Sequence, residues 1–118
     1  MDVVAILENE DAVLNYQPNF DEIARIDARG LIITAEADRA GVDYVCRFFA
    51  PQVGVPEDSV TGSAHCGLSP LWSERLGRSA LRGYQASPRG GFVETERFVE
   101  RVHLRGAAFT VVDGELCL

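Results

Sequence analysis

One stretch, residues 54–77, constrains the fold most, because it passes from strand-forming sequence through a turn into an amphipathic helix. Its first half contains an acid pair, two hydroxyl groups and a glycine, at Glu57, Asp58, Thr61, Ser63 and Gly62. Its second half places four large apolar side chains on one helical face, at Leu68, Leu71, Trp72 and Leu76. These features predict a central helix over about residues 63–77, around which the rest of the chain packs.

The remaining chain has mainly the apolar, β-branched composition of strands. Strands are predicted over residues 2–7, 31–35, 43–50, 81–86, 92–96, 101–104 and 108–112, with short helical pieces at 10–16 and 19–26. Asp113-Gly114 is a strong hairpin signal. The predicted class is therefore α+β: a curled, mostly antiparallel sheet of about seven strands around one central helix, in a single domain over residues 1–118.

Charge and composition exclude several classes of function. The formal net charge of −7 and the lack of a Lys/Arg cluster argue against binding to nucleic acid. No apolar run approaches the ~20 residues that a membrane span needs, and no signal-like segment opens the chain, so a cytoplasmic location is expected. Cys46, Cys66 and Cys117 lack metal-ligand spacing, so reduced thiols and no metal site are expected. Cys66 is the alternative candidate for a catalytic thiol, because a helix N-terminus favours the thiolate.

The residues at the predicted helix start have the chemistry of an anion site. Backbone N–H groups at Thr61, Gly62 and Ser63 would point outward beside the positive end of the helix dipole, which suits a small carboxylate. Asp58, five residues before Ser63, is expected at the rim, where it could orient a hydroxyl or move a proton. The same residues are also ordinary helix-capping sequence. Spacing alone leaves both interpretations open.

Three separated motifs occur in order along the chain: RFFAP at 47–51, GVPEDSVTGSAHC at 54–66 and QASPRGG at 85–91. Together they resemble the C-terminal half of the phenazine biosynthesis PhzF-like family, which shares the diaminopimelate epimerase-like fold. The resemblance covers essentially the whole chain. One departure is Ser59, where the family usually has proline after the Glu-Asp pair.

The resemblance implies two similar halves, each a curled sheet around a central helix, with both helix N-termini directed at one ligand. In the family's phenazine enzyme the reaction isomerises a dihydro-hydroxyanthranilate by proton transfer between carbons, without metal or organic cofactor. Carried over to this chain, Asp58 and Ser63 would be catalytic, and Thr61, Gly62 and Ser63 would bind the substrate carboxylate. Related epimerases use two cysteines instead, which Thr61 in the corresponding turn disfavours.

The family's principal acid/base glutamate and a Gly-His pair of its carboxylate site belong to the N-terminal half, which these residues do not include. Two functions therefore stay open. The first is a PhzF-like isomerase that works as a homodimer, with two Asp58/Ser63 turns facing one cleft, or with a complementary N-terminal half. The second is a non-catalytic half-domain that binds a small carboxylate, or only folds and dimerises.

Overall fold

The computed structural model describes residues 1–117, and within them six strands form one mixed sheet. The strands lie side by side in chain order: β1 (Val3–Ile6), β2 (Leu31–Glu36), β3 (Tyr44–Phe49), β4 (Ala80–Gln85), β5 (Gly91–Arg97) and β6 (Val102–Arg105). β1 pairs with β2 and β3 pairs with β4 in parallel, and the other three pairings are antiparallel. The α+β class is confirmed.

Three α-helices accompany the sheet: α1 (Glu10–Leu14), α2 (Phe20–Ile23) and α3 (Gly62–Leu76). The two short helices begin at asparagine caps, because the side chain of Asn9 accepts from Ala12 N–H and that of Asn19 accepts from Glu22 N–H. Gly77 caps the C-terminus of α3, and its φ of 69° is the left-handed conformation that glycine adopts readily. None of these helices is long and apolar enough to cross a membrane within residues 1–117.

The sheet separates two apolar clusters because successive side chains of a strand point to opposite faces. On one face α3 packs through Ala64, Leu68 and Trp72 against β2, β3 and β4. On the other face the short helices pack through Val13 and Ile23 against alternate residues of β2 and β3. The central position predicted for the helix over residues 63–77 is thus confirmed, within one residue at each end.

The seventh predicted strand is wrong, since residues 106–117 contain no strand and no hairpin forms at Asp113-Gly114. A strand needs a partner for its backbone groups, and within the described residues β6 is the last strand that has one. The large apolar groups of this segment face solvent: Phe109 is 92% exposed and Val111 is 90% exposed. Strand-forming composition alone was therefore not sufficient to add this segment to the sheet.

Candidate functional site

The start of α3 is open. Its capping residue, Thr61, is extended (φ −113°, ψ 95°) and makes no capping bond with its side chain. The backbone N–H groups of Gly62 and Ser63 donate to no group within residues 1–117. Both residues are exposed. Unpaired N–H groups at the positive end of a 15-residue helix are an anion-binding arrangement.

The Thr61 side chain does not cap the helix because its hydroxyl makes hydrogen bonds to other residues. Its hydroxyl lies 2.6 Å from Asp58 Oδ2 and 3.1 Å from Gln85 Nε2. Its backbone N–H donates to Gln85 Oε1 at 2.8 Å, and the whole residue is only 8% exposed. The structure therefore places both polar groups of Thr61 toward the interior, while Gly62 and Ser63 face outward.

Asp58 lies in the turn just before the helix and is partly exposed. Its Oδ1 accepts from Ser59 N–H at 2.8 Å, and its Oδ2 accepts from the Thr61 hydroxyl. Its backbone is held as well, because Asp58 N–H donates to Phe48 O at 3.1 Å and Asp58 O accepts from Gln85 Nε2 at 2.9 Å. The carboxylate thus has a defined orientation and keeps access to solvent.

Ser63 has a cation beside it. Arg29 Nη2 donates to Ser63 Oγ at 2.9 Å, and the Arg29 side chain is 43% exposed. The guanidinium also pairs with Asp2, and this hydrogen bond holds the pKa of Asp2 below its usual value. Because the oxygen of Ser63 accepts from Arg29, its own hydroxyl proton is available to an outside acceptor.

The other acid of the pair, Glu57, points away from this site. Its carboxylate forms a bidentate salt bridge with Arg47 of β3, with N–O distances of 2.7 and 3.0 Å. Arg47 also donates to Tyr16 O at 2.7 Å. The two side chains are 11% and 13% exposed. Glu57 therefore fastens the motif loop to the sheet and to the end of α1, and only Asp58 reaches the helix start.

One turn into α3, His65 is fully buried. Its Nδ1 lies 2.7 Å from the hydroxyl of Tyr44, and its Nε2 lies 3.9 Å from the sulfur of Cys46. Burial lowers the pKa of His65 to about 4, and burial raises the pKa of the Tyr44 hydroxyl and of the Cys46 thiol. All three groups are neutral near pH 7, so this cluster is part of the core.

The structure thus brings together the four residues predicted for the site, Asp58, Thr61, Gly62 and Ser63, and adds two that sequence reasoning missed. Gln85 stands inside the third motif, 24 residues after Thr61, and Arg29 lies 34 residues before Ser63. A polar residue at the end of an otherwise strand-like segment was the available signal for Gln85. For Arg29 we find no comparable signal in the sequence.

Comparison with known proteins agrees with this architecture. The family described as "Phenazine biosynthesis-like protein" matches residues 1–114. An uncharacterized isomerase of Halalkalibacterium halodurans is 42% identical over 117 residues, which are 99% of this chain and 44% of that protein. An uncharacterized isomerase of Pseudomonas aeruginosa is 44% identical over 98% of this chain and 44% of its own length. A PhzF-family crystal structure from Enterococcus faecalis superposes with a TM-score of 0.87 at 40% identity, and covers 98% of this chain and 44% of its own. The chain therefore spans less than half the length of these relatives.

Proposed function

The chain belongs to the phenazine biosynthesis-like family, and we propose that it forms one wall of an isomerase active site that transfers a proton on a small carboxylate-bearing metabolite. The observation that supports this proposal best is the pairing of an open helix start with an oriented carboxylate. Gly62 and Ser63 offer unpaired N–H groups, and Asp58 stands in the preceding turn with its orientation set by two hydrogen bonds.

The substrate carboxylate would bind at the helix start. The N–H groups of Gly62 and Ser63 and the Ser63 hydroxyl supply hydrogen bonds, and Arg29, whose charge is paired with Asp2, donates to the Ser63 oxygen. The space beside Gly62 is open, since a Cβ built there would have only the Leu104 side chain within 4 Å, at 3.6 Å. Thr61 contributes to binding indirectly, by leaving these donors free.

Asp58 would carry the proton. A carboxylate in this position accepts a proton from a carbon of the bound substrate, and the proton returned to a different carbon completes the isomerisation without a net oxidation or reduction. The Ser63 hydroxyl would donate a hydrogen bond to the negative charge that develops on the substrate. No organic cofactor or metal is part of this proposal, because each step needs only a positioned acid/base group.

A second wall is needed, and we propose that a complementary half of the same family supplies it. The chain spans 44% of the curated relatives, and it exposes apolar groups that a partner would cover. Val3, Val4 and Ile6 of the edge strand β1 are each about 40% exposed, and Phe109 is 92% exposed. The alternative partner is a second copy of this chain, which would bring two Asp58/Ser63 turns to one cleft.

Binding at the helix start can be tested with benzoate and a 15N-labelled chain followed by NMR. We expect the amide signals of Gly62 and Ser63 to shift with increasing benzoate, because the carboxylate accepts their hydrogen bonds. Benzamide has the same ring and no charge, so it is the matched control and should leave these signals in place. Equal shifts with both compounds, or benzoate shifts only elsewhere, would contradict the assignment of the site.

Catalysis can be tested by combining the chain with the separately produced N-terminal half of the Enterococcus faecalis relative, and supplying a dihydro-hydroxyanthranilate in D2O. We expect carbon-bound deuterium in the product. Asp58→Asn should lower this rate by about 10²-fold or more, since general acid/base groups contribute about 10²–10⁴. Glu74→Gln, an exposed carboxylate of the same helix, is the control and should retain the rate. An Asp58→Asn assembly that incorporates deuterium at the unaltered rate would refute the role of Asp58.

The second function that we consider is a non-catalytic half-domain that binds a small carboxylate or only folds and dimerises. The open helix start favours it, because the unpaired N–H groups of Gly62 and Ser63 suit a carboxylate whether or not a proton is transferred. Benzoate binding without any deuterium incorporation by the combined halves would support this function over the isomerase. Sedimentation velocity at micromolar concentration distinguishes the partners: a dimer supports the homodimer, and a monomer supports the complementary half.

A further inference from the structure

We propose that Gln85 and Thr61 form a directional hydrogen-bond relay that orients the Asp58 carboxylate and, at the same time, keeps the start of α3 uncapped. Gln85 is then a positioning residue for the proposed reaction, on which this inference rests. The relay consists of four contacts between 2.6 and 3.1 Å: two from Gln85 Nε2, one to Gln85 Oε1 and one from Thr61 to Asp58.

The direction of the relay follows from donor and acceptor chemistry. The backbone N–H of Thr61 can only donate, so the Gln85 atom that faces it must be the amide oxygen, Oε1. The backbone carbonyl of Asp58 can only accept, so the atom that faces it must be the amide nitrogen, Nε2. These two independent contacts fix the orientation of the Gln85 amide.

The same nitrogen lies 3.1 Å from the Thr61 hydroxyl oxygen, and it has a second N–H to donate there. The hydroxyl oxygen therefore acts as an acceptor toward Gln85. Its one proton then goes to its other close neighbour, Asp58 Oδ2, at 2.6 Å. The hydrogen-bond direction thus runs from Gln85 through Thr61 to Asp58.

The relay is anchored in the rigid part of the molecule. Gln85 is 0% exposed and lies at the end of β4, where it is paired in register with Cys46 of β3. A second bond from the following loop supports the same turn, because the Ser87 hydroxyl donates to Ser59 O at 2.8 Å. An exposed turn is thereby aligned by a buried sheet, so the carboxylate keeps its geometry before any ligand binds.

The relay has a second effect on the helix start. A threonine in the capping position normally turns its hydroxyl oxygen toward an N–H of the first turn, which removes a donor from the site. Here the Thr61 hydroxyl bonds to Gln85 and Asp58 instead and makes no bond to the first turn of the helix. One threonine therefore orients the acid/base group and leaves the anion-binding donors unused.

The test compares Thr61→Val with Thr61→Ser in two measurements. In the combined halves, we expect Thr61→Val to lower deuterium incorporation by about tenfold to hundredfold, because a misplaced catalytic group costs up to about 10². Benzoate affinity should change by less than about twofold, since the N–H groups of the helix start stay free. Thr61→Ser, which retains the hydroxyl, should restore the rate. Ser69→Ala is the control, because it removes a buried hydroxyl of α3 that has no partner within residues 1–117.

A second measurement needs no substrate and so remains informative if the proposed isomerase activity is absent. In mixed H2O and D2O, exchange of the Thr61 hydroxyl proton should produce an isotope shift on the 13C signal of the Asp58 carboxyl group. We expect Thr61→Val to lose this contribution, and Thr61→Ser to keep it. Gln85→Glu should also lose it, because its carboxylate would attract the hydroxyl proton away from Asp58.

Two results would overturn the relay. The first is an isotope shift in Thr61→Val equal to that of the wild type, which would show that the hydroxyl does not donate to Asp58. The second is a Thr61→Ser variant as impaired in rate as Thr61→Val, which would assign the effect to packing of the methyl group. A third result separates the relay from the reaction. If no assembly, including the wild type, incorporates deuterium into the product, but the isotope shifts are as expected, the proposed reaction is refuted and the relay is supported.

Discussion

The buried histidine makes the stability of this protein depend on pH in a way that can be measured. His65 is 0% exposed and lies in the core beneath the helix start, where its neighbours, the Tyr44 hydroxyl, the Cys46 sulfur and the Gln85 amide, are neutral. Burial lowers its pKa from the ordinary value of 6.5 to about 4. The folded protein therefore keeps the imidazole neutral over a pH range in which the unfolded chain protonates it.

The sign of the effect follows from this difference. Between pH 6.5 and about 4 the unfolded state binds the proton and the folded state does not, so the free energy of unfolding falls as the pH falls through this range. Above pH 6.5 this contribution to stability is fully present. At about 1.4 kcal/mol for each pH unit, the total loss is about 3 kcal/mol, of which about 2.5 kcal/mol is lost between pH 7.5 and 4.5. This is a large share of the 5–15 kcal/mol typical of a domain.

The assay is urea unfolding at pH 7.5, 6.5, 5.5 and 4.5 for the wild type, His65→Gln and His103→Gln. Carboxylates also titrate toward acid pH, so the quantity of interest is the difference in slope between variants. We expect His65→Gln to be less stable at pH 7.5 and to lack about 2.5 kcal/mol of the wild type's pH-dependent loss. His103→Gln, at the exposed histidine of β6, is the matched control for the loss of an imidazole from the chain. Parallel slopes for the wild type and His65→Gln would refute the reasoning.

Two further predictions concern stability. In urea unfolding, Arg47→Met should lower the free energy of unfolding by about 3–5 kcal/mol, because it leaves a carboxylate that is only 13% exposed without its partner. The control, Arg105→Met, removes one member of a pair whose side chains are 63% and 34% exposed, and should change the free energy of unfolding by less than about 1 kcal/mol. Equal losses in the two variants would contradict this account. Gly83→Ala should lower the free energy of unfolding by about 1–3 kcal/mol, because the new Cβ would lie 2.5 Å from a ring carbon of Tyr44 on β3. Gly67→Ala, whose Cβ would have nothing within 4 Å, should be neutral or stabilising. A thermal melt that ranks the two variants in the opposite order would show that the tyrosine ring moves freely.

Local sequence patterns predicted the helices, because a helix depends on its own amphipathic spacing and on caps that are close in sequence. The spacing of Leu68 and Trp72 identified α3 because both side chains pack on one face against the sheet. The short helical piece predicted over residues 19–26 corresponds to α2, whose cap, Asn19, acts only on the next three residues. The strand predicted over residues 108–112 was wrong because a strand depends on a neighbour that composition does not reveal.

In the candidate site, too, the residues that are close in sequence were predicted and the distant ones were not. Asp58, Thr61, Gly62 and Ser63 are close in sequence, and the motif that contains them indicated the site directly. Gln85 reaches that turn only through the parallel pairing of β3 with β4, which no local pattern encodes.

The narrow pairing between β3 and β4 has a consequence for the dynamics of the site. Only three register pairs join these strands, Tyr44 with Gly83, Val45 with Tyr84 and Cys46 with Gln85, and they connect the first three strands of the sheet to the last three. The backbone N–H of Thr61 donates to the side chain of Gln85, so this hydrogen exchanges with solvent only when that hydrogen bond opens. We expect hydrogen exchange at Thr61 and along this short junction to follow one cooperative opening, and a ligand at the helix start to slow both together. Ligand binding and cohesion between the two parts of the sheet would then be thermodynamically linked.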